Sequence, residues 1–400
     1  MFGPVARTCA GFVLGLVHER PVTDPEFEVA TWLTGLRPGT LLDATRVEPV
    51  GLRTLVNPAD AWRISYATSD RRSRILTATG VVLRSRTPWK GAGPRPTVAF
   101  APSTQGVAPR CDPSYTCTVG VAVRSRPVDL IAAYEQPAIN LLLASGANVV
   151  VSDHPRDPEG NVQMYCDHVS SARALADAVL AARELGIGTD NLGLWGFSQG
   201  GGAVGAWLEE PEYAPELQPL AAVVGAPPAD LTAMLKHVYG ALASVVILYA
   251  VAGMMAADSR IAAELAPHLS AKGVEAVLAE ASMCAVGAVL HRPWASTSDW
   301  TTSGVPMAEL LDDLPATSAY LDAATLGLRA PLRIPIRLWA SKHDDLVPFS
   351  TVQDLARAWN VPLQARNFPR VLGRTGLSHF GPYFTHLAGD AKWLVRHLAG

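Results

Sequence analysis

Charge is scarce in this chain. Aspartate, glutamate, lysine and arginine make up 17% of its 400 residues and leave a net charge of −3. A nucleic-acid partner usually demands a basic face. Arginine greatly outnumbers lysine here, but the basic residues are scattered, so no nucleic-acid partner is expected. Cysteine is sparse too. Among Cys9, Cys111, Cys117, Cys166 and Cys284 none stands at zinc-ligand spacing with histidine, so no metal is expected. The odd number leaves at least one thiol free or paired between chains. Cys111 and Cys117 share a Pro-rich loop, which is compatible with an extracellular disulfide; isolated buried thiols are the other reading. Internal repeats and low-complexity runs are missing, which removes repeat architectures.

Long apolar runs are few, and two need weighing. Met1–Val17 carries one arginine and a short apolar stretch, Cys9 to Val17, like a weak or truncated signal sequence. His18-Glu19-Arg20 interrupts any small-residue cleavage site, so an ordinary N-terminal helix fits as well. Val238 to Ala257 runs about twenty residues without a charge, the length of a membrane span. Its position deep inside the chain favours a buried or lipid-facing helix instead.

What is present is apolar. Hydrophobic residues make 49% of the chain, enough for a large core in one elaborated domain or two. The most informative stretch is Gly196-Phe197-Ser198-Gln199-Gly200. Leu192–Trp195 before it reads as a buried strand, and Gly201–Leu208 after it as a helix of small residues. Strand, sharp turn and helix make such a G-x-S-x-G a nucleophile elbow. The flanking glycines spare Cβ atoms that would collide with the neighbouring strand and helix. Ser198 would then project Oγ over a helix N-terminus, where negative charge is stabilised.

Around the elbow, strands and helices alternate. Thr97–Ala101, Val149–Ser152, Leu192–Trp195, Leu220–Val224, Ile334–Ala340 and Leu363–Phe368 read as strands. Val128–Leu143 and Val169–Leu185 read as helices. This alternation predicts an α/β fold with a mostly parallel sheet covered by helices on both faces. Between Pro228 and Pro331 the alternation stops and helical, alanine-rich pattern takes over, as in an inserted cap. The expected divisions are an N-terminal extension with the first strands (1–95), the core with the elbow (96–228), the cap (229–330) and the C-terminal core (331–400). Trp62–Ala67 and Ile75–Leu83 would form a hairpin with Arg71-Arg72 in its turn.

A serine hydroxyl needs a base, and the base needs an orienting carboxylate. In the order of this fold they follow as acid, then histidine. Asp344, in the turn after the strand ending at Ala340 and four residues before Pro348, is the expected acid, with neighbouring Asp345 the competitor. An N-cap role for the helix near Ser350 is the bland alternative. His379, on a loop after the next strand, is the expected base. His386 and His343 fit worse. Two amides would hold the oxyanion: Gln199 after the nucleophile, and Gln105, with Thr104 as alternative, in the loop after Thr97–Ala101.

Taken together, the chain resembles the secretory lipase family, from about Asp24 to Leu398. The resemblance rests on the elbow Gly196–Gly202, Pro211–Leu217, Gly225-Ala226-Pro227-Pro228-Ala229-Asp230-Leu231, Asp344–Pro348, Ser378-His379, and Thr104-Gln105-Gly106 followed by Cys111-Asp112-Pro113-Ser114. It implies an α/β-hydrolase fold with a helical cap between the sixth strand and the acid-bearing strand. It also implies ester hydrolysis through an acyl-enzyme, secretion or an envelope location, and a disulfide from Cys111 to Cys284. Relatives often place His-Gly ahead of the Thr-x-Gly; this chain has Pro102-Ser103. The expected activity is that of a lipase or esterase on lipid-like esters, without cofactor, with the cap in possible contact with a lipid surface. Acyl transfer by the same triad and a non-catalytic lipid-binding role are the alternatives.

Overall fold

A computed structural model describes residues 27–50, 59–125 and 128–400. The leader-like run Met1–Val17, with Cys9, lies outside the described residues. Three strands come first: β1 (Leu41–Val47), β2 (Ala59–Ser69) and β3 (Ile75–Ser85). The chain continues through β4 (Thr97–Ala101), α1 (Pro113–Val119), β5 (Val121–Ser125), β6 (Val128–Ala132), α2 (Gln136–Ala144), β7 (Asn148–Ser152) and α3 (His168–Ala182). Then follow β8 (Leu192–Phe197), α4 (Gln199–Glu209) and β9 (Pro219–Gly225). Between β9 and the next strand lie α5 (Leu231–Val238), α6 (Val246–Ala257), α7 (Ser259–Leu265), α8 (Ala271–Glu280), α9 (Ala285–His291), α10 (Met307–Leu310) and α11 (Pro315–Ala323). The chain ends with β10 (Ile336–Ser341), α12 (Phe349–Trp359), β11 (Leu363–Arg366) and α13 (Leu377–Leu398).

Nine strands form one sheet in the order β1-β2-β3-β7-β4-β8-β9-β10-β11. Strands β1 to β3 are antiparallel, as is the β3–β7 junction; from β7 to β11 every pairing is parallel. Strand side chains alternate between faces, and the core divides accordingly. Ala99, Val150, Leu194, Val224 and Leu338 pack on the face covered by the alanine-rich α3 and α4. Phe100, Val151, Trp195, Val223 and Trp339 pack on the other face, against α2 and α13. Small residues thus let α3 and α4 lie close beneath the elbow, while large ones fill the opposite layer. Burying each large apolar side chain is worth roughly 1.5–3 kcal/mol.

The predicted hairpin is present as β2 and β3, paired in register from Ala59↔Ser85 to Ser69↔Ile75, with Arg71 and Arg72 in its turn. Strand β3 alternates poorly because it is interior: β2 and β7 flank it and both its faces are covered. The continuous helix expected over Val128–Leu143 is not formed. Val128–Ala132 is a strand paired with β5, and the helix starts only at Gln136, with Pro137 in its first turn. As a strand it buries Asp129 and Ile131 and leaves Val128 exposed, a period of two. The uncharged run Val238–Ala257 breaks after α5 and resumes in α6, whose residues are mostly buried. No helix among the described residues is long and apolar enough to cross a membrane. The segment from Cys111 to Cys117 is not a loop: a short 3-10 turn ends at Cys111, and Cys117 lies in α1.

Candidate active site

Ser198 sits between β8 and α4 with φ of 54° and ψ of −121°, a strained conformation for any residue but glycine. The flanking glycines make this possible. A Cβ on Gly196 would lie 2.1 Å from the Gly200 carbonyl oxygen, and one on Gly200 would lie 2.1 Å from the Ala101 carbonyl oxygen. The Ser198 N–H donates to the Gly225 carbonyl at 2.8 Å, which ties the turn to β9.

Asp344 follows the end of β10, and its Oδ2 lies 2.7 Å from His379 Nδ1. Its Oδ1 accepts from the backbone N–H groups of Leu346 and Val347 at 2.9 and 2.8 Å. The carboxylate is thereby oriented by its own turn rather than used as a helix cap; the N-cap of α12 is Pro348. Asp345 points elsewhere. Its Oδ2 accepts from the Gly376 N–H at 2.8 Å, at the N-terminus of α13. Both neighbouring aspartates therefore address the element that carries His379, one through the ring and one through the backbone.

His379 is fully buried and lies in the first turn of α13, not on a loop as expected. Gly376 starts the helix in a left-handed conformation, φ 81°. The helix pattern here is hidden by Gly381 and Pro382. The ring of Phe197 stacks on His379 with centroids 4.7 Å apart. His379 Nε2 is buried and has no hydrogen-bond partner among the described residues. With Nδ1 held by a carboxylate, Nε2 is the nitrogen available to take a proton. His386 is exposed and bonds within α13, and His343 is exposed and faces the Phe368 carbonyl; neither joins the site.

Ser198 and Gln199 open into a cavity of about 180 Å³. Most of its wall is apolar: Met234 of α5, Ala243, Val246 of α6, and Ala285, Val286 and Val289 of α9 come from the helices between β9 and β10. Leu346, Val347 and Phe380 close the other side. Thr104 lines this cavity and Gln105 does not. The loop after β4 also contacts α9. The Gln105 carbonyl accepts from the Ala285 N–H at 2.9 Å, and Gly106 pairs with Cys284. Thr104 is held by its hydroxyl, 2.8 Å from that of Tyr165, and by the Tyr134 hydroxyl donating to its carbonyl.

A disulfide joins Cys111 to Cys284, so Cys111 does not pair with Cys117. Cys117 and Cys166 are free and buried, and burial pushes both thiols up to about 12. Cys166 borders the cavity, but as a neutral thiol it is a poor nucleophile. No cluster of three or more His, Cys, Asp or Glu suited to a metal occurs among the described residues.

An aromatic and an acidic group stand behind the site, Tyr383 and Glu135. Tyr383 follows His379 by one helical turn, a spacing that is a signal only once the histidine is on a helix. Glu135, which bonds Ser103 and Tyr383, had no local signal.

The secretory lipase family model matches residues 123–400. A secreted triacylglycerol lipase of Malassezia restricta is 24% identical over 352 residues, covering 85% of this chain and 72% of that protein. A Mycobacterium tuberculosis protein named a probable inactive lipase is 25% identical over 347 residues, covering 85% of this chain and 74% of that protein. Among solved structures, Candida antarctica lipase A in its closed state gives a TM-score of 0.73 at 20% identity, covering 92% of this chain and 86% of that one. The rice cell wall degrading esterase LipA from Xanthomonas oryzae gives 0.69 at 19% identity, covering 90% and 99%. The chain therefore belongs to the secretory lipase family, carboxylic ester hydrolases on an α/β-hydrolase fold.

Proposed function

We propose that this chain is a serine hydrolase of lipid-like carboxylic esters that works through an acyl-enzyme. One observation carries the reading: His379, held at Nδ1 by Asp344, keeps a buried, unpartnered Nε2, while the elbow serine and Phe380, the residue after His379, line one apolar cavity. His379 takes the proton from Ser198, and Oγ attacks the ester carbonyl. Asp344 holds the imidazole in the productive tautomer and stabilises its charged form. The backbone N–H of Gln199, at the start of α4, and that of Thr104 hold the oxyanion. His379 returns the proton to the departing alcohol, and water then releases the acid by the same route. No metal or organic cofactor takes part.

The apolar wall supports an acyl-chain site formed by α5, α6 and α9. Exposed Leu290, Trp294, Leu372 and Leu377 support contact with a lipid surface. Trp294 Nε1 donates to the Gly373 carbonyl at 2.7 Å, three residues from cavity-lining Gly376, so this apolar rim adjoins the mouth. The disulfide and the secreted relatives support an oxidising, extracellular location. The probable inactive relative keeps a non-catalytic lipid-binding role in view. An intact Ser198, Asp344 and His379 in this chain favour hydrolysis over it.

The test is hydrolysis of p-nitrophenyl esters of increasing acyl length by the wild type and by Ser198→Ala. Turnover that grows toward longer chains, and a loss of about 10⁴- to 10⁶-fold in the variant, are expected. Inert wild type across the series sinks the reading; activity confined to short esters removes the lipid substrate and leaves the nucleophile.

A further inference from the structure

Glu135 is 3% exposed, directly ahead of α2, and forms no ion pair among the described residues. Its Oε1 accepts from the Ser103 N–H at 2.8 Å and from the Ser103 hydroxyl at 2.5 Å. Its Oε2 accepts from the Tyr383 hydroxyl at 2.5 Å. Burial raises the pKa of the carboxyl, and the three donors work against that rise. A buried carboxylate with no cation is a poor way to stabilise a fold, since its desolvation is met only by hydrogen bonds. Its partners suggest what it does instead.

Ser103 adjoins Thr104, which lines the catalytic cavity. Tyr383 lies one turn after His379 on α13. The Tyr383 ring stacks on Phe197 with centroids 4.2 Å apart, and Phe197 in turn stacks on His379. Phe197 is the residue before Ser198. One carboxyl thus joins the loop after β4 to the helix of the base, through an aromatic stack that includes the strand of the nucleophile. These three pieces come from distant parts of the chain, and no backbone hydrogen bond between Ser103 and α13 replaces the link.

We propose that Glu135 is a positioning residue: acting through Ser103 and Tyr383, it sets the oxyanion loop against the helix that carries His379. It touches no substrate. The assignment rests on the hydrolase reading above. Misplacing a donor by a fraction of its hydrogen-bond length weakens transition-state stabilisation while ground-state binding in the apolar cavity stays the same. The effect belongs in kcat and not in KM.

The experiment compares wild type, Glu135→Leu, Glu135→Gln and Tyr383→Phe. It measures kcat and KM on a soluble ester, melting temperature, and the rate at which a fluorophosphonate labels Ser198. Glu135→Leu is expected to lower kcat by about 10- to 100-fold with KM little changed. Glu135→Gln should recover most of that loss, because its amide oxygen accepts from Ser103 and its NH₂ donates to Tyr383. Tyr383→Phe keeps the aromatic stack and loses only the link, so a lowered kcat at near wild-type melting temperature also supports the proposal. A Glu135→Leu enzyme that melts earlier but turns over and labels at the wild-type rate overturns it. So does a Gln variant as slow as Leu. A wild type that neither hydrolyses nor labels overturns both the hydrolase reading and this assignment, whereas an active wild type with equally active variants removes only the assignment.

Discussion

Two adjacent carboxyls, Asp344 and Asp345, divide one task. Asp344 bonds the His379 ring, and Asp345 bonds the backbone where that histidine's helix begins. The two bonds differ in what an amide can replace. In Asp344→Asn the side-chain NH₂ can face Nδ1 and force the wrong tautomer, and a loss in kcat of about 10⁴-fold is expected. In Asp345→Asn the amide oxygen still accepts from Gly376, so the loss should stay under about tenfold. Steady-state kinetics on a single ester separates the two; equal losses would mean that the pair shares the orienting role.

At the scale of elements, α3 is bound to the hairpin by a buried carboxyl. Asp177 Oδ2 accepts from the Thr68 and Tyr213 hydroxyls, each at 2.7 Å. Burial pushes its pKa up to about 7, although those two hydrogen bonds work in the opposite direction. An unfolded aspartate titrates near 4. Between about pH 4 and pH 7 the folded protein therefore holds a proton that the unfolded chain has released. By linkage, this group's contribution to stability falls as pH rises through that window and levels off above it. Asp177→Asn cannot titrate. Its melting temperature relative to wild type should climb steadily from pH 4 to pH 7; a difference independent of pH would show that Asp177 ionises normally.

At the scale of the whole molecule, the helices between β9 and β10 are tied to the core by a covalent bond as well as by packing. The Cys111–Cys284 disulfide joins residues 173 apart and sits beside the Gln105–Ala285 hydrogen bond. The Cys284 N–H also donates to Asp129 of β6, which fixes the start of α9. Closing so long a loop removes chain entropy from the unfolded state, worth up to about 5 kcal/mol. Cys284→Ala or a reductant should lower the melting temperature by several degrees. It should also lower activity, because α9 lines the cavity next to Thr104. Unchanged melting on full reduction, verified by thiol titration, would refute this.

Local patterning alone was enough to read the parallel strands near the elbow, and the elbow itself. Apolar runs between Gly, Pro and Asn are local signals, as are the glycines that relieve Ser198, so β4, β7, β8, β9 and β10 were legible to within a residue or two. Chain order then singled out Asp344 and His379, which the structure brings within a hydrogen bond. Other features depend on neighbours far along the chain. The loop after β4 borders the cavity through Thr104 and is bonded at Gln105 by Ala285, 180 residues later. Val128–Ala132 is a strand because β5 and α9 cover it, against a helical-looking composition. Glu135 gained its role from Ser103 and Tyr383, 32 and 248 residues away. Local patterning sets backbone conformation through sterics and side-chain periodicity, but buried polar partners are chosen by packing, which only the folded chain decides.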